Sequence, residues 1–268
     1  MRRMGIRPKL KWGAIPIAGI LVGIGFLAYG ESQQEISGLK SKWEKVFFYT
    51  GKRFGIPILN ASIKIQNGFS EEGKPILQIR ASVNSLGYLG ALFRMNNRFL
   101  SMVEAESYAP IRYVKEIDQD GLLVKNRKYV QTIIFDHANK KVIVEQSDEK
   151  ERKVISLSSE TYDPLSMFVK CYLKEGLEPD RDIPMSIYDG RKLRQMIFHP
   201  RKEKVESKIF GEVETICLES TASFSTFGDQ EGIIRIWYTA DGKRVPLSME
   251  LGLPVGNIHF ELDEMKEG

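Results

Sequence analysis

The chain has 268 residues, of which 42% are hydrophobic and 28% charged, and it contains 2 Cys, 3 His, 23 Gly and 11 Pro. This composition is ordinary for a globular protein, and it excludes a disordered chain, a collagen-like repeat and a disulfide-dense scaffold. The net charge of +4 comes from the first thirty residues, which carry five basic and no acidic side chains. The remainder is close to neutral, so the sequence predicts no nucleic-acid partner.

Residues 1–30 have the pattern of an export signal. A basic cluster within residues 2–11 precedes an uncharged apolar run over residues 12–30, and polar residues follow at once. Ala28 and Gly30 suit a cleavage site, whereas the length of the run also suits a membrane-spanning helix. We expect either a cleaved signal peptide or a retained inner-membrane anchor. Because positive charge stays in the cytoplasm, the rest of the chain is predicted to lie on the periplasmic side of a bacterial cell envelope.

The remainder is predicted to contain a short linker over residues 31–42, one β-rich domain over residues 43–263 and a tail over residues 264–268. Apolar and polar residues alternate with period two in many short segments, which is typical of strands with one buried face. In chain order the predicted strands are Val46–Thr50, Ile56–Gln66, Ile76–Val83, Phe99–Ser107, Arg112–Ile117, Tyr129–Phe135, Lys141–Gln146, Lys153–Ser158, Pro184–Tyr188, Lys192–Phe198, Val205–Phe210, Glu212–Thr221, Ile233–Tyr238, Val245–Leu251 and Ile258–Leu262.

Two predicted helices interrupt these strands. The segment Ser85–Met95 is apolar but weakened by Gly87 and Gly90, so we interpret it as a turn that caps the core, with a lid as the alternative. The stronger helix begins at Asp163, a good N-cap, and Pro164, a good first residue. Its apolar stripe consists of Leu165, Phe168, Val169, Tyr172 and Leu173, and Gly176 is predicted to stop it.

Near the end of the chain, Asp241-Gly242 is the clearest hairpin signal and predicts a type I′ turn. Consecutive strands with short loops are expected to pair as antiparallel neighbours. The sequence therefore predicts a mainly β fold: a curved antiparallel meander forming an open or half barrel, with one amphipathic helix packed on or in its concave side.

These features, in this order, resemble a bacterial family catalogued as domain of unknown function 3108, whose members are exported β-rich proteins. The resemblance covers residues 43–263 and is carried by Tyr49, Phe54-Gly55-Ile56-Pro57, Asp163-Pro164-Leu165-Ser166, the run from Ile236 to Pro246, and Gly256. That family is similar in architecture to the periplasmic lipoprotein carriers. The resemblance thus implies an open half-barrel whose concave face holds acyl chains under a helical lid.

No catalytic or metal-binding motif is present. His137, His199 and His259 share no spacing pattern, and the HExxH, GxSxG, GxGxxG and GxxxxGK[ST] motifs do not occur. The sequence therefore predicts a protein that is not an enzyme and needs no cofactor or metal. Cys171 and Cys217 would meet oxidising conditions after export, which leaves a disulfide and two buried free thiols as open alternatives.

The leading hypothesis is a non-enzymatic envelope protein that binds a lipid or acylated ligand inside the curved sheet. The residues predicted to face that ligand are Leu165, Phe168, Val169, Tyr172 and Trp237. The alternative is a membrane-anchored structural or assembly factor with a filled core that acts through its surface. The inner membrane is an expected partner through residues 12–30 if that segment is not cleaved.

Overall fold

The computed structural model describes residues 42–90, 92–122, 126–149, 151–174, 176–224, 230–252 and 256–268. The predicted signal or anchor and nearly all of the predicted linker lie outside these residues. Within the described part of the chain, no helix combines the length and the apolar character needed to cross a membrane.

The described residues form fifteen strands and one α-helix. The strands are β1 (Glu44–Arg53), β2 (Ile56–Glu71), β3 (Lys74–Ser85), β4 (Arg94–Glu104), β5 (Pro110–Asp120), β6 (Arg127–Asp136), β7 (Lys141–Gln146), β8 (Lys153–Ser156), β9 (Thr161–Tyr162), β10 (Ile183–Tyr188), β11 (Leu193–Ser207), β12 (Gly211–Phe224), β13 (Gln230–Thr239), β14 (Pro246–Gly252) and β15 (Ile258–Glu267). The helix, α1, spans Pro164–Leu173.

All strands belong to one sheet, in the order β8-β7-β6-β5-β4-β3-β2-β1-β15-β14-β13-β12-β11-β10-β9. Every pairing is antiparallel except that between β9 and β10. The two edge strands, β8 and β9, are not paired with each other, so the sheet is curved but not closed. The predicted fold class, an open antiparallel meander with one helix, is confirmed.

Two strand predictions needed correction. The predicted strand at Lys192–Phe198 and the first half of the one at Val205–Phe210 belong to one long strand, β11, whereas residues 208–210 form the β11–β12 turn; the short β9 was not predicted. Pro200 lies inside β11 without breaking it because the pairing with β10 ends at Phe198. The missing N–H of Pro200 therefore removes no ladder bond on that side.

The Ser85–Met95 segment forms a turn, as the preferred interpretation expected: only Gly87–Leu89 is helical, as a single 3-10 turn, and the chain is extended again from Arg94. The prediction of a type I′ turn was wrong. The β13–β14 hairpin exists, but its connection is longer than a two-residue type I′ turn. Arg244, not Gly242, has a positive φ, of 49°. The Asp241 side chain accepts the backbone N–H groups of Lys243 and Arg244 at 3.2 Å and stabilises this wider turn.

The start of α1 matches the sequence prediction. Asp163 Oδ1 accepts hydrogen bonds from the backbone N–H groups of Leu165 at 2.8 Å and Ser166 at 3.1 Å. The Ser166 hydroxyl accepts the Asp163 N–H at 2.8 Å and completes a capping box. The other carboxylate oxygen of Asp163 accepts a hydrogen bond from the Ser101 hydroxyl of β4 at 2.7 Å. This completely buried carboxylate therefore both caps α1 and fastens it to the sheet.

α1 lies on the concave face of the sheet, which we call the inner face. It contacts β3 and β4 from one half of the sheet and β9 and β10 from the other. Inner-face side chains from β1–β4 and β9–β15 join the helix in one hydrophobic cluster. The helix is therefore enclosed by the curvature of the sheet.

Replacing Asp163 should destabilise the protein because it removes the cap and leaves the Ser101 hydroxyl buried without its partner. We expect Asp163→Ala to lower the free energy of unfolding by about 2 kcal/mol, measured by urea denaturation. The matched control is Asp148→Ala at an exposed position, which should change stability by less than about 0.5 kcal/mol. Equal effects of the two variants would contradict the fastening role of Asp163.

Candidate functional site

The structure brings the four predicted helix residues together on the inner face. Phe168, Val169 and Tyr172 are buried, and Leu165 is half-buried between the two hydrophobic clusters of the fold. The Tyr172 ring meets the Phe47 ring edge-on at a centroid distance of 5.6 Å. These side chains pack against the sheet and fill the concave side around α1.

The prediction that groups Trp237 with the helix was wrong. The neighbouring residues Ile236 and Tyr238 belong to the cluster around α1, and the Tyr238 hydroxyl donates to the Phe168 carbonyl at 3.4 Å. Because successive side chains of a strand alternate between faces, Trp237 lies on the outer face. There its indole N–H donates to Glu203 Oε2 at 2.8 Å, beside a small groove of about 320 Å³.

The two cysteines are free thiols, and both are buried. Cys171 lies on α1 within the inner cluster. Cys217 pairs across strands with Trp237 and therefore lies on the outer face of β12. The sheet separates the two thiols, so the structure favours free thiols over the disulfide.

The gap between the ends of the sheet is bridged by polar contacts from the β10–β11 turn. Lys115 Nζ on β5 donates to the Asp189 carbonyl at 2.8 Å, and Gln131 Nε2 on β6 donates to the Gly190 carbonyl at 3.2 Å. Gly190 has φ +92°, and a Cβ there would lie 2.8 Å from Ile133 Cδ1 and closer still to Gln131 Oε1. Only glycine fits this close approach of the turn to the sheet.

We call these contacts of Lys115 and Gln131 with the β10–β11 turn the seam. Burial and nearby charges determine the pKa values of its ionisable side chains. Burial lowers the pKa of Lys115 to about 8, against an ordinary value of 10.5. Burial acts against the ionised form of Asp189 as well, but the N–H groups of Lys192 and Arg191 and the guanidinium of Arg194 leave its pKa below the ordinary value. Arg194 Nη1 lies 2.8 Å from Asp189 Oδ2. The seam therefore contains a lysine whose pKa is lowered by burial and an aspartate whose pKa is kept low by its N–H and guanidinium partners.

A larger groove, of about 690 Å³, lies on the outer face of β1–β5. Two rows of residues in register across the five strands supply most of its lining. Four half-buried apolar side chains form its floor, namely Val46, Phe48, Leu100 and Val114. A volume of this size is within the range of small-molecule sites.

The charged side chains of the groove favour an anionic ligand. Lys64 is paired with Glu44 at 2.7 Å, and the Lys266 ammonium lies over the Phe48 ring at 5.1 Å. Arg80 and Arg98 are exposed and, among the described residues, form no ion pair. Arg80 Nη2 donates a hydrogen bond to Gln78 Oε1 at 3.0 Å, and both arginines line the groove. Glu116, opposite Arg98, is the one acidic residue of the lining besides Glu44.

The sequence prediction missed this groove because its residues come from five strands and meet only through pairing. One signal was available: Val46, Phe47, Phe48 and Tyr49 are four consecutive large apolar residues. A strand with one wet face should alternate instead, so this run indicates that both faces of β1 are apolar. Within the described residues, no group of three or more His, Cys, Asp or Glu side chains is placed to hold a metal ion.

Comparison with known proteins agrees with the fold. The model of the family described as protein of unknown function (DUF3108) matches residues 45–263. The chain belongs to the DUF3108 family. A crystal structure of a β-barrel-like protein of domain of unknown function DUF1849 from Brucella abortus is similar, with a TM-score of 0.50 and 11% identity over 84% of this chain and 97% of that one. At this identity the likeness concerns the fold alone. The search of curated proteins gave no match.

Because Lys115 of the seam has a lowered pKa, the stability of this DUF3108 protein should change with pH in the alkaline range. Between about pH 8 and 10.5, Lys115 is neutral in the folded protein but still protonated in the unfolded chain, so the unfolded state binds more protons. Stability should therefore rise with pH across this window, and the contribution is lost as pH falls through 8. Relative to Lys115→Met, the native protein should gain up to about 3 kcal/mol by pH 10.5, measured by urea denaturation. If the pH profiles of the native protein and of Lys115→Met run parallel, the expectation is contradicted. The control is Lys74→Met, at an exposed lysine, whose profile should run parallel to that of the native protein.

The buried thiols should resist modification. Burial raises the pKa of Cys217 to about 12, and Cys171 is completely buried, so neither forms an accessible thiolate at neutral pH. We expect iodoacetamide to leave both cysteines unmodified in the native protein and to alkylate both in denaturant without reductant, as measured by intact mass. A disulfide would instead block alkylation in denaturant until reductant is added.

Proposed function

We propose that this protein is a non-enzymatic component of the bacterial cell envelope that binds a lipid or acylated ligand on its curved sheet. The envelope location is supported by the basic and apolar pattern of residues 1–30. The ligand class is supported by the groove on the outer face of β1–β5, whose apolar floor lies beside Arg80 and Arg98. This groove is the observation that carries the proposal.

The outer groove suits the ligand better than the concave face. On the concave face Phe168, Val169 and Tyr172 occupy the space that an acyl chain would need. On the outer face, the two lining rows cross five strands about 4.8 Å apart and extend roughly 19 Å. Apolar side chains of β1 and of β4–β5 lie at the two ends of these rows, and polar or charged side chains of β2 and β3 lie between them. Each methylene buried there would contribute about 0.8 kcal/mol. Arg80 or Arg98 could then bind an anionic headgroup through paired hydrogen bonds.

The filled interior also supports a second candidate, a structural or assembly factor that acts through its surface. In that case the groove would receive part of another protein and no lipid. The two candidates predict different results of photolabelling with a lipid probe: the first predicts that the probe labels the groove, and the second predicts that it does not.

The test uses the full-length protein and a fatty acid that carries a diazirine on its acyl chain. After irradiation and digestion, we expect crosslinks on the outer face of β1–β5, centred on the floor residues. Leu100→Gln should reduce this labelling by about tenfold because it places a polar group on the floor. Ile197→Gln is the matched control, since Ile197 is an exposed strand residue outside the groove.

Other outcomes would overturn this assignment. Crosslinks on α1 would place the ligand on the concave face, as a lipoprotein-carrier architecture implies. Crosslinks confined to residues 12–30, or none at all, would favour the assembly factor. Equal labelling of the Leu100→Gln and Ile197→Gln variants would exclude the groove as the site.

A further inference from the structure

One end of the sheet carries an unusual number of exposed apolar side chains. Because β1–β6 form an antiparallel meander, the β1–β2, β3–β4 and β5–β6 turns all lie at this end. Five large apolar residues in or beside these turns are exposed, and we call them the hairpin rim. They are Phe54 (79% exposed), Ile56 (59%), Tyr88 (67%), Leu92 (48%) and Leu122 (83%).

The three turns of the hairpin rim are joined to one another. The Tyr88 hydroxyl of the β3–β4 turn donates to the Pro57 carbonyl beside the β1–β2 turn. In the β5–β6 turn, Gly121 approaches the β3–β4 turn so closely that a Cβ would lie 2.7 Å from the Leu92 carbonyl oxygen. Gly121 also has φ +134°, which favours glycine. The three turns therefore adjoin one another at this end of the sheet.

Phe54 shows that the fold holds an aromatic ring outward. Its φ of 51° is in the left-handed region, which costs a non-glycine residue about 1 kcal/mol or more. Its ring lies under the Arg53 guanidinium at 5.2 Å and close to Gly256. The intramolecular packing leaves most of this ring in water, so the fold gains little from a phenylalanine here. A phenylalanine at this position is better explained by a contact outside the chain.

The charges around the hairpin rim indicate which surface it fits. Arg94 forms ion pairs with Asp118 at 2.8 Å and Asp120 at 2.9 Å, which offsets the acidic residues at this end. Arg53 adjoins Phe54, and Arg127 and Lys128 begin β6 next to the β5–β6 turn. Projecting apolar side chains flanked by basic residues suit the interface of an anionic bilayer. A protein partner would more commonly meet a compact, flat patch than a row of projecting turns.

We propose that the hairpin rim inserts its apolar side chains into the interfacial layer of an anionic lipid membrane. This surface is separate from the outer groove, because the first strand residue lining the groove, Glu44, lies at the opposite end of β1. It also differs from the possible anchor in residues 12–30. The inference does not rest on the proposed function, and either one can fail alone.

The test measures whether individual rim positions enter the membrane, so that membrane binding through residues 12–30 does not affect the result. Nitroxide labels are attached to full-length protein at Leu122→Cys or Ile56→Cys, with Lys74→Cys, at the start of β3 at the opposite end, as the control. Labelled wild-type protein corrects for the two native thiols. With vesicles of phosphatidylethanolamine and phosphatidylglycerol, labels at 122 and 56 should become more accessible to oxygen and less accessible to a water-soluble nickel chelate, whereas the label at 74 should not change.

Two further comparisons make the outcome decisive. Tyr88→Asp should reduce immersion of the label at 56 by about tenfold, whereas Phe210→Asp, at an exposed turn of the opposite end, should leave it unchanged. Replacing phosphatidylglycerol with phosphatidylcholine should also weaken immersion severalfold. Rim labels that stay aqueous on vesicle-bound protein, or a protein that does not bind vesicles, would overturn the proposal. Equal immersion in neutral vesicles would overturn its anionic part.

Discussion

The fold depends on how a fifteen-stranded sheet that never closes its backbone ladder keeps its concave side out of water. Its edges, β8 and β9, are only four and two residues long and do not pair with each other. Side-chain contacts therefore join parts of the sheet that backbone hydrogen bonds would join in a closed barrel. Asp163 ties the start of α1 to Ser101 of β4. Lys115 of β5, in the same half of the sheet, donates to the Asp189 carbonyl of the β10–β11 turn in the other half. Burial raises the pKa of Asp163, so this fastening opposes a real desolvation cost.

Filling the interior in this way decides where a ligand can bind. A helix whose apolar stripe contacts both halves of the sheet gives up that burial if an acyl chain takes its place. Phe168 and Val169 would have to leave contacts that are already close-packed. The outer groove and the hairpin rim impose no such exchange, because their apolar side chains are still partly in water. Ligand binding there adds burial without first removing it.

Local patterns predicted most of the architecture. Period-two alternation located fourteen of the strands, two segments merging into β11, and Asp163-Pro164 placed the start of the helix. The placement of Trp237 failed because local sequence does not fix which face of a strand meets the core. Trp237 follows Ile236 and precedes Tyr238, and three large residues in a row give no indication of which one faces the core. In the Ser85–Met95 segment, by contrast, Gly87 and Gly90 were enough to favour a turn over a helix, and the structure has a single 3-10 turn there.

The same alternation explains why the functional surfaces are hard to see in the sequence. In a strand with one wet face, every second residue should be polar, yet Val46 and Phe48 alternate with the buried Phe47 and Tyr49. Stability of the core requires only the second pair. The first pair lines the groove together with Leu100 and Val114, which four strand pairings bring into register with it from β4 and β5. An apolar residue on the face away from the core is therefore the feature of this fold that core stability does not explain.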